Sequence, residues 1–254
     1  MAKLLNANFH ELLKSKYFYI TIAASAFFGA FLTAGMYLYP NFNMPENSGI
    51  VLTKDNILGI VPSFAAILIP FAASATVAVL LDSQYNHGTI RNMLVSGHTR
   101  TEIFLADLLA MSAAAVIYFV CYQLAVFSVA VFAFDYDGYR LKAALVSLSV
   151  MLVMLICVST VVSLLLGNLM RGGKLTVVIL VVQYALNLSF VLGMFKKDNK
   201  VMELLARLFP QSSLFDFSYY TVPDGIEKNL MISAVMIVVF SVIGLIHFQK
   251  CDIK

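Results

Sequence analysis

The sequence predicts an all-α membrane protein with six transmembrane helices, an N-terminal amphipathic interfacial helix and short helices outside the bilayer. Three observations carry this. Hydrophobic residues make up 61% of the 254-residue chain and charged residues 12%, about half the ~25% usual in a globular protein. Mean hydropathy is +0.87. The apolar residues fall in long runs, and Asp107 is the only formal charge inside any of them. Charges this sparse do not cover a soluble surface of this size, whereas a bilayer suits the composition.

The runs are Tyr17–Tyr39, Ile57–Leu81, Ile103–Phe134, Ala143–Met170, Leu175–Phe195 and Leu230–Phe248. Crossing ~30 Å of hydrocarbon takes roughly 20 apolar residues, and each run meets that length. The third, at ~1.5 Å per residue, is about 48 Å long and must tilt or protrude, which puts Asp107 near its wet end. The runs lack the strict alternation of lipid-facing strands, which excludes a β-barrel. Residues 1–254 therefore read as one transmembrane domain. The first run exceeds a signal-peptide core, and Ala24-Ser25-Ala26 lies in its middle, so it is expected to stay as an anchor. Cys251-Asp252-Ile253-Lys254 lacks the aliphatic pair of a prenylation box. Cys121, Cys157 and Cys251 fall in two spans and the tail, which suggests no disulfide framework.

Lys and Arg are denser in the segments on the side of both termini, which places both termini in the cytoplasm. Ahead of the first span, Leu5, Phe9, Leu12 and Leu13 recur at helical spacing among Lys3, His10, Glu11 and Lys14. That is an amphipathic helix lying along the inner surface. Pro62 and Pro70 are expected to bend span two, while Ser25, Gly29, Ala26 and Ala30 give span one a small-residue packing face.

The segment Asp82–Glu102 is the most informative. Gly88 breaks the exiting helix, and Thr89 is expected to cap a short new one with Ile90, Met93 and Leu94 on its apolar side. Gly97 ends it, and Thr99 with Glu102 forms a capping box for the third span. Arg91, Asn92, His98 and Arg100 lie around this helix. A half-apolar helix in the cytosol is poorly covered alone, and a partner groove is the economical cover.

The stretch from His87 through Gly88, Thr89, Ile90, Arg91, Asn92, Met93, Leu94, Gly97 and His98 to Arg100, between a second and third span, resembles the signature loop of the type-2 family of ATP-binding-cassette (ABC) exporter permeases. The resemblance extends in layout to the leader, the six spans, the Arg171–Lys174 turn and the closing tail. It implies that the Gly88–Gly97 helix is a coupling helix inserting into a nucleotide-binding subunit, with Arg171 and Lys174 as a second contact. It also implies a permease pair, as homodimer or heterodimer, in a bacterial plasma membrane. ATP and Mg²⁺ would be held by the partner ATPase and no cofactor by this chain. The family also serves antimicrobial-peptide resistance. The family pattern often has an acid where Gln84 stands and a base where Asp107 stands, and this chain departs at both.

Between spans five and six, Lys196–Asn229 is too long for a turn. Val201–Phe209 has helical periodicity stopped by Pro210, and a second short helix follows Ser212 or Ser213. Re-entrant and interfacial placements both fit its aromatic residues.

No catalytic constellation emerges. His10-Glu11-Leu12-Leu13-Lys14 has Lys where a zinc helix needs its second His. Gly172-Gly173-Lys174-Leu175 lacks the spacing and hydroxyl of a P-loop, and Asp135-Tyr136-Asp137-Gly138 is too brief for a calcium loop. The chain is thus read as a non-enzyme with no metal and no nucleic-acid partner. The spans lack paired charges at mid-depth, which ion-coupled carriers generally need, and this favours energy arriving from outside the membrane. Gln183, Tyr184 and Asn187 in span five are the candidates for a substrate path, and an apolar bundle fits amphipathic cargo such as a peptide antibiotic or a lipid. Two other classes stay open. One is a lipid-modifying membrane enzyme built on His98, Arg100, Glu102 and Asp107, and the other a membrane module that recruits or senses without transport.

Overall fold

The computed structural model describes residues 1–38, 61–133, 160–170, 178 and 226–250. Among these are seven α-helices and no strand: α1 (Ala2–Lys14), α2 (Lys16–Leu38), α3 (Ala65–Asn86, preceded by a 3₁₀ turn at Val61–Phe64), α4 (Thr89–Val95), α5 (Arg100–Ala133), α6 (Val162–Met170) and α7 (Ile226–Lys250). Four stretches are long and apolar enough to cross a membrane: Lys16–Leu38, Leu68–Asn86, Arg100–Phe132 and Leu230–Lys250. They correspond to the first, second, third and sixth expected spans. Of the fourth, the described part includes Val162–Met170; of the fifth, Val178 alone. The short helices expected between spans five and six, and the Arg171–Lys174 turn, lie outside the described residues.

The bundle is built on α5, against which α2 packs along most of its length. The buried stripe of α2 is Phe18, Ser25, Gly29 and Thr33. A Cβ added at Gly29 would lie 2.8 Å from the Tyr122 carbonyl oxygen, so the two backbones approach too closely for any side chain there. The hydroxyls of Ser25 and Thr33 donate back to the carbonyls of Thr21 and Gly29 at 2.8 and 2.7 Å. That leaves no hydroxyl donor of this interface unpaired inside an apolar layer. Tyr19, Ile20, Phe27 and Phe31 point away from the bundle, as a lipid-facing surface requires.

Pro62 falls in the 3₁₀ turn and Pro70 inside α3, where the Ser74 hydroxyl donates to the Pro70 carbonyl at 2.6 Å. The helix runs on to Asn86, past the expected end at Leu81, so Asp82, Ser83 and Gln84 are helical. Polar groups in the spans meet one another across helices. Thr76 Oγ1 and Tyr118 Oη are 2.8 Å apart, Ser163 donates to Ser74 at 3.0 Å, and Tyr85 Oη donates to Asn168 Oδ1 at 2.9 Å. Interhelical bonding accounts for these residues without a substrate path.

α1 forms where the leader helix is expected. It buries Leu4, Asn8 and Leu12 against the bundle and leaves Leu13 half exposed, because the bundle offers it a polar socket as well as an apolar one. The wet position expected for Asp107 is corrected: the residue is 3% exposed and is held by amide donors. Met1 and Gln249 both contact the first turn of α5, through Glu102 and Thr101, so the start of α1, the α4 loop and the end of α7 share one end of the bundle.

Candidate functional site

Helix α4 stands between two glycines in the left-handed region, Gly88 at φ +64° and Gly97 at φ +91°. α3 stops because Gly88 turns the chain where other residues would be strained. Gly88 also serves as the N-cap, and its carbonyl receives the Asn92 N–H at 3.0 Å. Thr89 is the first helical residue and contributes no capping bond, which corrects the expectation that it caps the helix. At the other end the Gly97 N–H reaches the Leu94 carbonyl at 3.1 Å and the His98 N–H reaches the Met93 carbonyl at 3.2 Å. This is the paired closure of a Schellman motif, which makes Gly97 the natural stop.

The capping box holds. The Thr99 N–H donates to Glu102 Oε2 at 3.1 Å, and the Glu102 N–H donates to Thr99 Oγ1 at 3.3 Å. Within the same turn the Arg100 guanidinium crosses to the end of α7, where Nη1 donates to the carbonyls of Phe248 and Gln249 at 3.0 and 2.8 Å. A cation on the last carbonyls of a helix satisfies acceptors that have no intrahelical donor. His98 Nδ1 lies 3.7 Å from Glu102 Oε2. Arg100 and Glu102 thus serve helix ends.

The two sides of α4 differ sharply. Ile90 is 1% exposed, and Met93 and Leu94 pack against the same core from its edge. The chain therefore covers most of this apolar side itself, which corrects the premise that a partner must do so. Facing away are Arg91, Asn92, Ser96 and Val95, the last 82% exposed. Val95 was not singled out in the sequence. Its signal is its place four residues after Arg91, an apolar residue on an otherwise polar face.

Beneath α4 a polar cluster ties three helices. Asp107 Oδ1 of α5 accepts from Asn8 Nδ2 of α1 at 2.8 Å and from Gln84 Nε2 of α3 at 3.1 Å. Ser83 of α3 donates to Glu11 of α1 at 3.1 Å. A carboxylate in so buried a place is tolerable only with such donors, and the helices that supply them are thereby fixed in register. Gln84 and Asp107, the two departures from the resembled pattern, are in direct contact. α4 rests on α3 and α5, which the cluster ties to α1, with α6 joined through Tyr85 and α7 through Arg100.

Among the described residues, those put forward for a lipid-acting site take different partners. Asp107 lies in the buried cluster, Arg100 on α7 and Glu102 in its cap, and neither of the two described grooves is lined by any of these or by His98. Arg171, Lys174, Gln183, Tyr184 and Asn187 lie outside the described residues. Comparison with protein-family models finds no match, and no curated protein matches the chain.

Proposed function

We propose that this chain is the membrane permease subunit of an ATP-driven exporter of the ABC type-2 kind, in a bacterial plasma membrane with both termini cytoplasmic. The observation that carries the reading is helix α4. It joins two membrane-length helices, is anchored from within by Ile90, and presents Arg91, Asn92, Val95 and Ser96 outward on a braced platform. A short helix so mounted has the form of a coupling element. Force applied to its outer face passes covalently into α3 and α5, and through the Asp107 cluster into α1. ATP and Mg²⁺ belong to a separate ATPase subunit, a second permease copy or homologue completes the pair, and the cargo is an amphipathic molecule such as a peptide antibiotic or lipid. Resistance to such a peptide is one role this would serve.

The test is purification of the tagged chain in mild detergent from its native host, with mass spectrometry of what accompanies it. A stoichiometric P-loop ATPase is expected, and it should be lost on Arg91→Glu with Val95→Asp while the chain remains folded. A chain that purifies alone would overturn the proposal, and lipid turnover would be the next activity to assay.

A further inference from the structure

Where α1 gives way to α2, an open groove of about 610 Å³ runs between this elbow and the last turns of α3. Lys14 and Lys16 line it, with His10, Tyr17, Val79 and Leu80. A smaller groove of about 370 Å³ adjoins it and shares Tyr17 and Val79. Three features define what fits. Lys14 is the last residue of α1 and Lys16 the first of α2, so two ammonium groups sit where the polar helix meets a membrane-length one. The ion pairs among the described residues are those of Glu102 with Met1 and His98, so neither lysine has a carboxylate bound to it there. The carboxylate lining the larger groove, Glu11, takes a hydrogen bond from Ser83. Tyr17 is 61% exposed, an amphipathic ring of the kind that settles at headgroup depth. Val79 and Leu80 of the membrane-length helix α3 add apolar surface to the groove wall.

We propose that this elbow groove binds an anionic phospholipid, its phosphodiester held between Lys14 and Lys16 and an acyl chain lying along Val79 and Leu80. Paired cations beside apolar surface select a ligand with both a negative head and a hydrocarbon tail. Free phosphate satisfies the first half only. Because α1 is tied to α3 and α5 through Asn8 and Glu11, lipid held here contacts the same braced platform, and its binding needs no partner subunit.

The chain contains no tryptophan, so Tyr17→Trp installs a single reporter in the groove. The full chain is reconstituted in phosphatidylcholine vesicles and titrated with brominated phosphatidylglycerol or brominated phosphatidylcholine. Phe132→Trp, at a position 92% exposed near the far end of α5, reports ordinary surrounding lipid. Quenching at position 17 should reach half-maximum at a several-fold lower fraction of phosphatidylglycerol than of phosphatidylcholine, with no such preference at position 132. The preference should fall away in Lys14→Gln/Lys16→Gln, persist in Lys14→Arg/Lys16→Arg, and weaken at high salt. Equal midpoints for the two lipids at position 17, or the same preference at both positions, would mean surrounding lipid alone and overturn the site. Loss of the preference in millimolar inorganic phosphate at constant ionic strength would identify a phosphate site instead, and would overturn the lipid assignment.

Discussion

Helices α1 and α4 are both short, both part apolar, and both lie at the same end of the bundle, yet they are held in opposite ways. α1 buries a stripe of Leu4, Asn8 and Leu12, and its central member is a polar residue bonded to a carboxylate 99 positions away. α4 has one fully buried side chain, Ile90, and is otherwise set by the two left-handed glycines at its ends. The first is fastened by long-range hydrogen bonds, the second by local backbone geometry. A helix fastened as α1 is becomes part of the scaffold. One fastened as α4 keeps a whole face free and can be pushed as a unit.

The largest effect expected to break this contrast is at Asp107. Asp107→Leu removes the acceptor of two buried amides, each costing about 1–3 kcal/mol when left unpaired. Hydrogen exchange should accelerate along α1 and leave α4 at its native rate. Asp107→Asn keeps an oxygen for both donors and should lose less. If α4 exchanged faster as well, the two helices would form one cooperative unit and the distinction between them would fail.

Next in size is Ile90→Ala. Truncating a buried aliphatic side chain costs about 2–5 kcal/mol in well-packed cores, and the low end suits a helix this short. Exchange in α4 should rise while α1 is untouched, the reverse of the Asp107 result. Val95→Ala, on the open face, should change stability by no more than about 0.5 kcal/mol. The pair separates the anchor from the exposed surface, a distinction thermal unfolding in detergent can measure.

Much of this was legible in the sequence because it is local. The starts of α2 and α5 follow from where charges give way to apolar runs, and the Thr99–Glu102 box and the Gly97 stop follow from residue spacing alone. The span-two boundary was missed by five residues because hydropathy falls at Asp82, whereas the backbone bonds of α3 continue to Asn86. Asp107 was misjudged for a different reason. A lone acid near a span end reads as wet, and only the fold shows two amides from α1 and α3 arriving at it. The inward direction of Ile90 was equally hidden, since periodicity marks an apolar face without saying what covers it.

The glycines offer a test of sign. Gly88→Ala and Gly97→Ala meet open space, with nothing within 4 Å of the added Cβ, so any loss comes from the positive φ alone. That strain costs roughly 1–2 kcal/mol per site. Gly35 in α2 also has nothing within 4 Å of its Cβ position but carries no positive φ, and Gly35→Ala should stabilise its helix by about 0.5–1 kcal/mol. Opposite shifts in melting temperature are expected. A shared direction would show that left-handed geometry does not set the ends of α4.

A change at the start of α5 sharpens the boundary between α4 and the scaffold. Thr99→Ala deletes the hydroxyl that accepts from the Glu102 N–H, and loss of such a cap costs about 1 kcal/mol. The first turn of α5 should fray, and Arg100 lies in that turn. Its hold on the Phe248 and Gln249 carbonyls should therefore loosen, so the last turn of α7 exchanges faster although it lies some 150 residues away in sequence. Thr99→Ser keeps the hydroxyl and should restore both ends. The bonds closing α4 run from Gly97 and His98 back to Leu94 and Met93, none of them through Thr99. Exchange in α4 should accordingly stay at its native rate while α5 and α7 fray together, which is the behaviour of a helix held by its own glycines and one buried isoleucine.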